Sequence, residues 1–320
     1  MPAWTKWISA ALIAGALGAA HAQDANITAP VPELERMLAN DPFTIVSAEI
    51  SRPKAKGDIT LRAEVAFAGR EPLRVKLRKA EPGADTFNNV PRYDLAAYEL
   101  QKLFLDPTEY VVPPTALRMV PLAEFRQYAP DVQPTFPGAA EVLAVVQYWL
   151  HDIMVIADVL DPAAFESDPV YARHIGQLNI LTYAIRHRDS NVGNFLIGRG
   201  RPGARVFSID HGVAFASTDA DRGELWKDVR VKKLPADAIA RLRTLKREDL
   251  EARLGVLAQW TLQDGHYVQA PLGENLVSAR GVRRSSGNLQ MGLTKAEIGD
   301  IHHLLQRLLA KVDAGDITTF

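Results

Sequence analysis

From Phe43 to Ala80 the chain alternates apolar and polar residues in three blocks: "FTIVSAEI" (Phe43 to Ile50), "DITLRAEVAF" (Asp58 to Phe67) and "PLRVKLRKA" (Pro72 to Ala80). Period-two alternation marks half-buried strands. The intervening "SRPKAKG" and "AGRE" carry turn residues, so an antiparallel meander is predicted. A short helix, "VPELERMLAN", precedes it. "PRYDLAAYELQKLFL" (Pro91 to Leu105) then reads as one amphipathic helix, with Leu95, Tyr98 and Leu103 on its apolar face and Pro91 at its start. "YVVPPTALRMVPL" and "EVLAVVQYWL" follow as two further strands. After these the pattern changes period. "VYARHIGQLNILTYAI" (Val170 to Ile185) is helical, "NFLIG" and "RVFSID" are short strands, and from Leu234 onward the chain reads as helix. Those helices are "PADAIARLRTL", "EDLEARLGVLAQW" and "KAEIGDIHHLLQRLLAKV", the last opened by a Thr294/Glu297 capping box. The expected class is α+β: a β-rich lobe with one helix (43–150) and a mainly helical lobe (151–320), with a cleft between them.

Composition adds limits. At 47% hydrophobic, 23% charged and a formal net charge of -1, the chain has the balance of a globular domain with no overall pull toward nucleic acid. The absence of cysteine removes disulfides, thiolate metal sites and thiol nucleophiles. The N-terminus changes the picture more. "MPAWTK" supplies positive charge, "WISAALIAGALGAA" is an uncharged apolar run, and Ala20-His21-Ala22 is a small-x-small cleavage site. A bacterial signal peptide (1–22) is expected, removed after Ala22 to leave a leader and short helix over 23–42. The product is expected in the periplasm or secreted, with no integral membrane segment after cleavage.

The candidate chemistry lies in "HRDSNVGNFLI" (187–197) and, just beyond, "RVFSIDHGVAF". Phosphoryl transfer from a nucleotide needs a proton acceptor for the attacking hydroxyl, oxygen ligands for a metal on the phosphates, and a cation on those phosphates. Asp189 suits the base. Asn194 offers a neutral oxygen and Asp210 a charged one, a hard-ligand pair that suits Mg²⁺. Gly193 and Gly212 relieve crowding beside them. Asn191 is either a second polar ligand or a turn residue. The order matters more than any single residue: apolar helix, D-x-x-x-x-N, two short strands, D-x-G.

"HRDSNVGN" followed by "IDHG" resembles the catalytic loop and metal-binding turn of the protein-kinase-like superfamily. "PRYDLAAYELQKLFLDPTEYVVPPT" resembles its atypical branch, which includes the type II phosphatidylinositol 4-kinases and the secretory-pathway kinases. There a Glu-hydrophobic-Ala-Ala-aromatic helix precedes a V-P-P strand. The resemblance spans roughly Asp58 to Phe215 and implies a bilobal kinase-like fold using ATP and Mg²⁺. It makes Asp189 the catalytic base and Asn194 and Asp210 the metal ligands. It puts a phosphate-pairing lysine on the third strand at Lys76. Arg78 shares that face and competes for the role; Lys79 has the opposite parity. The helix acid that pairs with the lysine falls on Asp94, one methylene shorter than the usual Glu. Backbone groups of Tyr148, Trp149 and Leu150 are expected beside the adenine, and Gly57, Lys56 and Lys54 in the first turn beside the phosphates, with Asn191 close by.

The sequence departs from the family in three places. The first turn has no G-x-G-x-x-G, His211 stands where the D-F-G phenylalanine would be, and no A-P-E follows. His187 and Arg188 match H-R-D in letter, with packing an equal reading. Three function classes result. One is an exported kinase acting on a hydroxyl of a lipid, protein or small molecule. The second is a pseudokinase-like binding module, suggested by export into an ATP-poor compartment. The third is a small-molecule phosphotransferase resembling the aminoglycoside kinases. Elsewhere, Arg280, Arg283 and Arg284 read as a solvated loop, Trp149 and Trp226 as packing residues, and the adjacent His302 and His303 cannot share a metal.

Overall fold

The computed structural model describes residues 25–51, 59–85, 90–155, 159–200, 202–215 and 223–320. The expected signal peptide (1–22) and the first turn with Lys54, Lys56 and Gly57 lie outside the described residues. Helix α1 (Val31–Ala39) leads into the meander β1 (Phe43–Ile50), β2 (Thr60–Phe67) and β3 (Leu73–Lys79). Helix α2 (Pro91–Gln101), β4 (Thr115–Pro121), the one-turn α3 (Leu122–Phe125) and β5 (Glu141–Tyr148) complete the first lobe. The five strands form one antiparallel sheet in the order β1-β2-β3-β5-β4. All eight residues of β5 are buried, as expected of a strand flanked on both sides and covered by helices.

Two boundaries differ from the pattern reading, each for a local reason. Strand β4 starts only at Thr115, because Pro113 and Pro114 have no N–H to give to a ladder. Helix α2 stops at Gln101 rather than Leu105. The next amides bond three residues back, Leu103 N to Leu100 O and Phe104 N to Gln101 O, which tightens the last turn. The fully buried Gln101 side chain then binds the returning chain: its Oε1 accepts from Val111 N and Val112 N, both at 2.9 Å, and its Nε2 donates to Val112 O at 2.9 Å. Nor is α2 amphipathic in place. Arg92, Asp94 and Gln101 are buried along with Leu95 and Tyr98, because the helix is enclosed on all sides.

In the second lobe the helix Pro169–Ile185 is capped by Asp168, whose carboxylate accepts from Val170 N and Tyr171 N. The strands Phe195–Gly198 and Val206–Ser208 pair as a hairpin. Helices Ala236–Thr244, Arg247–Leu254 and Lys295–Asp313 are present, the last with its Thr294/Glu297 capping box.

The all-helical reading after Leu234 is corrected. Residues 258–291 hold a four-stranded antiparallel sheet: Ala258–Gln263, His266–Gln269, Val282–Ser285 and Asn288–Met291. Two hairpin turns make it. Asp264-Gly265 and Ser286-Gly287 all have positive φ (50°, 83°, 48° and 80°), the two-residue turn whose twist matches the flanking strands. "DG" and "SG" between alternating residues were the available signal. Arg283 is corrected with it: it is 1% exposed, and its guanidinium donates to the carbonyls of Val277, Arg280, Gly255 and Leu293. This sheet leans on the first lobe. Tyr267 packs edge-on against Phe136 at 5.6 Å, and His266 Nδ1 meets Glu141 Oε1 at 2.6 Å. One continuous apolar core runs through both lobes.

Candidate active site

The loop after helix Pro169–Ile185 is shaped by its own polar side chains. Arg186 ends the helix in the left-handed region (φ 47°), and the chain turns back on itself. Asn191 Oδ1 accepts from Gly193 N at 2.9 Å, and its Nδ2 donates to Asp189 Oδ1 at 3.1 Å. Asn191 thus forms the turn and also holds the Asp189 carboxylate. Asn194 Nδ2 donates to the Asp189 carbonyl at 2.5 Å, which leaves its side-chain oxygen as an acceptor. The second segment is laced to the first by Ile209 N to Asn194 O (3.0 Å) and Arg188 N to Val213 O (3.1 Å). Asp189, Asn194 and Asp210 therefore come from one tied unit.

Asp210 adopts φ 62°, unusual for a residue other than glycine, and such conformations cluster at functional sites. Lys76 reaches down from β3 and forms an ion pair with Asp210 Oδ1; the side chains are 15% and 30% exposed. The lysine thus lies at the D-x-G turn, but the expected Lys76–Asp94 pair does not form. Arg78 takes Asp94 instead, in an ion pair whose side chains are 5% and 3% exposed. The two cations share a face of β3, and the shorter acid is met by the longer, forked one. Asp94 Oδ1 also accepts from His211 N at 3.0 Å, and Gly212 O accepts from Val90 N at 3.2 Å. Helix α2 is therefore bonded directly to the D-x-G turn. Gly212 lets Arg78 in, because a Cβ there would lie 2.9 Å from both terminal guanidinium nitrogens and push on the Arg78–Asp94 pair. Sequence reasoning left Arg78 as a competitor; its pairing could not be decided without knowing which cation lies nearer α2. Lys79 points elsewhere and donates to Ala80 O at 2.9 Å.

His211 is wholly buried, its ring 4.7 Å from that of His187, and Ser208 Oγ sits 3.0 Å from its Nε2. Burial pushes both imidazoles down, His187 to about 4 and His211 well below its ordinary value. Both are neutral packing groups under the turn. At the hinge, Tyr148 N donates to Pro114 O and Trp149 N to Arg74 O, so these two N–H groups serve the fold and not a base. The Trp149 ring lies beneath the Arg62 and Arg74 guanidinium groups at 5.8 and 5.1 Å. Leu150 is buried. A cavity of about 920 Å³ is on another face. Asn26, Thr28, Pro107, His174 and Arg205 line it, and none of Lys76, Asp189, Asn194 or Asp210 does. Among the described residues no group of three or more His, Cys, Asp or Glu is arranged to hold a metal, so an ion here would rest on two protein ligands plus phosphate and water.

This architecture, a five-stranded antiparallel lobe with one enclosed helix above a mainly helical lobe, is the bilobal protein-kinase-like fold. Among solved structures, the chain is similar to Fam20 from hydra, solved with sugar, at 13% identity over 89% of each chain with a TM-score of 0.52. It also matches the MAP kinase LmaMPK10 from Leishmania major at 14% identity over 70% of this chain and 68% of that one, with a TM-score of 0.31. No protein-family profile matches the chain, and no curated protein sequence does. At these identities the first likeness is one of fold.

Proposed function

We propose that this protein is an exported phosphotransferase of the atypical kinase branch, moving a phosphoryl group from ATP to a hydroxyl of a lipid, protein or small molecule. One observation carries the reading: Lys76 of the first lobe pairs with Asp210 of the second, in a segment hydrogen-bonded to the loop that carries Asp189 and Asn194. In this reading residues 43–150 bind nucleotide and 151–320 complete the catalytic site. Asp189, its carboxylate held by Asn191, receives the proton of the attacking hydroxyl. Asn194 and Asp210 fit a hard cation, since each offers a side-chain oxygen, and Asp210 Oδ1 meets the mobile end of Lys76. Mg²⁺ bound there would offset charge on the phosphates. Lys76, already aimed at Asp210, is the cation that exchanges carboxylate for phosphate when nucleotide enters. The Asp94-Leu95-Ala96-Ala97-Tyr98 stretch with its V-P-P strand, and the likeness of fold to Fam20 along 89% of the chain, support the atypical branch over the ordinary kinases.

The test is ATP titration of the mature chain with and without Mg²⁺, together with phosphoryl transfer or ATP hydrolysis. Saturation at a hundred times Kd stabilises the folded state by about 2.7 kcal/mol. Asp210→Asn should weaken Mg²⁺-dependent binding. Asp189→Asn should leave binding intact and slow turnover by about 10²–10⁴-fold. If wild type fails to bind ATP at millimolar concentration, the reading fails. If it binds but Asp189→Asn turns over like wild type, the protein is a nucleotide-binding module.

A further inference from the structure

Helix α2 carries Asp94, yet much of what holds α2 comes from the far end of the chain. Arg92, 4% exposed, donates from Nη1 to Glu297 Oε2 at 2.7 Å and from Nη2 to Glu297 Oε1 at 3.0 Å. The Tyr93 hydroxyl donates to the same Oε1 at 2.5 Å. Arg92 also lies flat on Gly281, where a Cβ would come within 2.1 Å of its Nε. At the other end of α2, Glu99 pairs with Arg253 at 2.5 Å. Glu297 is itself fixed at the start of the terminal helix, its Oε2 accepting from Thr294 N at 2.7 Å. These contacts matter because Val90, the N-cap of α2, caps with no side-chain hydrogen bond. The first turn of α2 is anchored by tertiary contacts instead.

That first turn is continuous with the site. Asp94, next to Tyr93, binds Arg78 and His211 N; Val90 N binds Gly212 O; and the Tyr93 ring packs 5.0 Å from that of Phe215. We propose that Glu297 is a positioning residue: through Arg92 and Tyr93 the terminal helix holds α2 inward, and with it the Arg78–Asp94–His211 linkage and the D-x-G turn. A buried carboxylate bonded to a forked guanidinium and a hydroxyl is directional, so it fixes rotation as well as distance. The functional half of this inference rests on the phosphotransferase reading; the linkage rests on the contacts alone.

The experiment compares the wild-type mature chain, Glu297→Gln and Leu308→Ala by hydrogen–deuterium exchange and Mg·ATP titration. Leu308 is a core residue of the same helix, 5% exposed, and its truncation lowers stability without touching the Arg92 contacts. Glu297→Gln should raise exchange over 90–101 and 208–215 more than Leu308→Ala does, and should weaken Mg·ATP binding about tenfold. Equal loosening by both variants, or loosening confined to the terminal helix, overturns the proposal. If Glu297→Gln does not fold, Arg92→Lys, which keeps the charge and loses the fork, is held to the same two outcomes. Failure of wild type to bind Mg·ATP sinks the phosphotransferase reading, while the exchange result still decides whether Glu297 holds α2.

Discussion

Asp94 and His174 show how much depends on single buried groups. Asp94 is the counter-charge of Arg78 in a pair almost without solvent, and removing one partner of such a pair strands the other. Asp94→Asn should therefore lower stability by about 3–5 kcal/mol in urea denaturation. Lys76→Met, at a half-open contact, should cost much less and act on nucleotide affinity instead. His174 is a buried imidazole whose pKa burial pulls down to about 4, despite the nearby Glu109 carboxylate. The unfolded chain takes up a proton near pH 6.5, while the folded chain resists it until about 4. Stability is thus intact above about pH 6.5 and falls as the pH drops toward 4, at up to about 1.4 kcal/mol per pH unit for this group. His187 adds the same slope over the same window. Urea midpoints at pH 7.5 and 5.0 measure it, and His174→Gln should flatten the dependence by one proton equivalent. A variant as steep as wild type would show that His174 is not buried as a neutral group.

At the scale of elements, alternation and periodicity sufficed where one face met solvent or a cap closed the end. The meander, the long helix Pro169–Ile185 and the capped terminal helix lie where the pattern puts them. They did not suffice for the four-stranded sheet, whose strands are short and whose signal lies in two dipeptide turns. Those turns carry a prediction. Gly265 and Gly287 have φ near +80° with open space around them, so alanine meets no neighbour and pays only for the left-handed backbone. Gly265→Ala and Gly287→Ala should each cost about 1–2 kcal/mol. Gly200→Ala, also in open space but without positive φ, should cost nearly nothing. Thermal denaturation of the three variants checks the contrast, and equal effects would refute the turn assignment.

Over the whole molecule, export is the expectation that stands furthest from the fold. Intact mass of the protein from its native envelope should begin at Gln23; a mature chain retaining Trp4 and Trp7 would exclude cleavage after Ala22. No helix among the described residues is long and apolar enough to cross a membrane. What the sequence determined by itself is local or ordered along the chain: the strands of the meander, the capped helices, and the spacing of Asp189, Asn194 and Asp210. Local propensity and short-range hydrogen bonds set these, and Asn191, Asn194 and Asp189 bind one another within six residues. What only the tertiary structure decided is pairing between distant charges. Lys76 and Arg78 are equivalent by parity, and only the approach of α2 and the D-x-G turn to β3 gives Asp94 to one and Asp210 to the other. The Arg92–Glu297 bond, 205 residues apart, is illegible for the same reason. A buried ion pair is chosen by which groups lose water together, and a linear pattern holds no record of that.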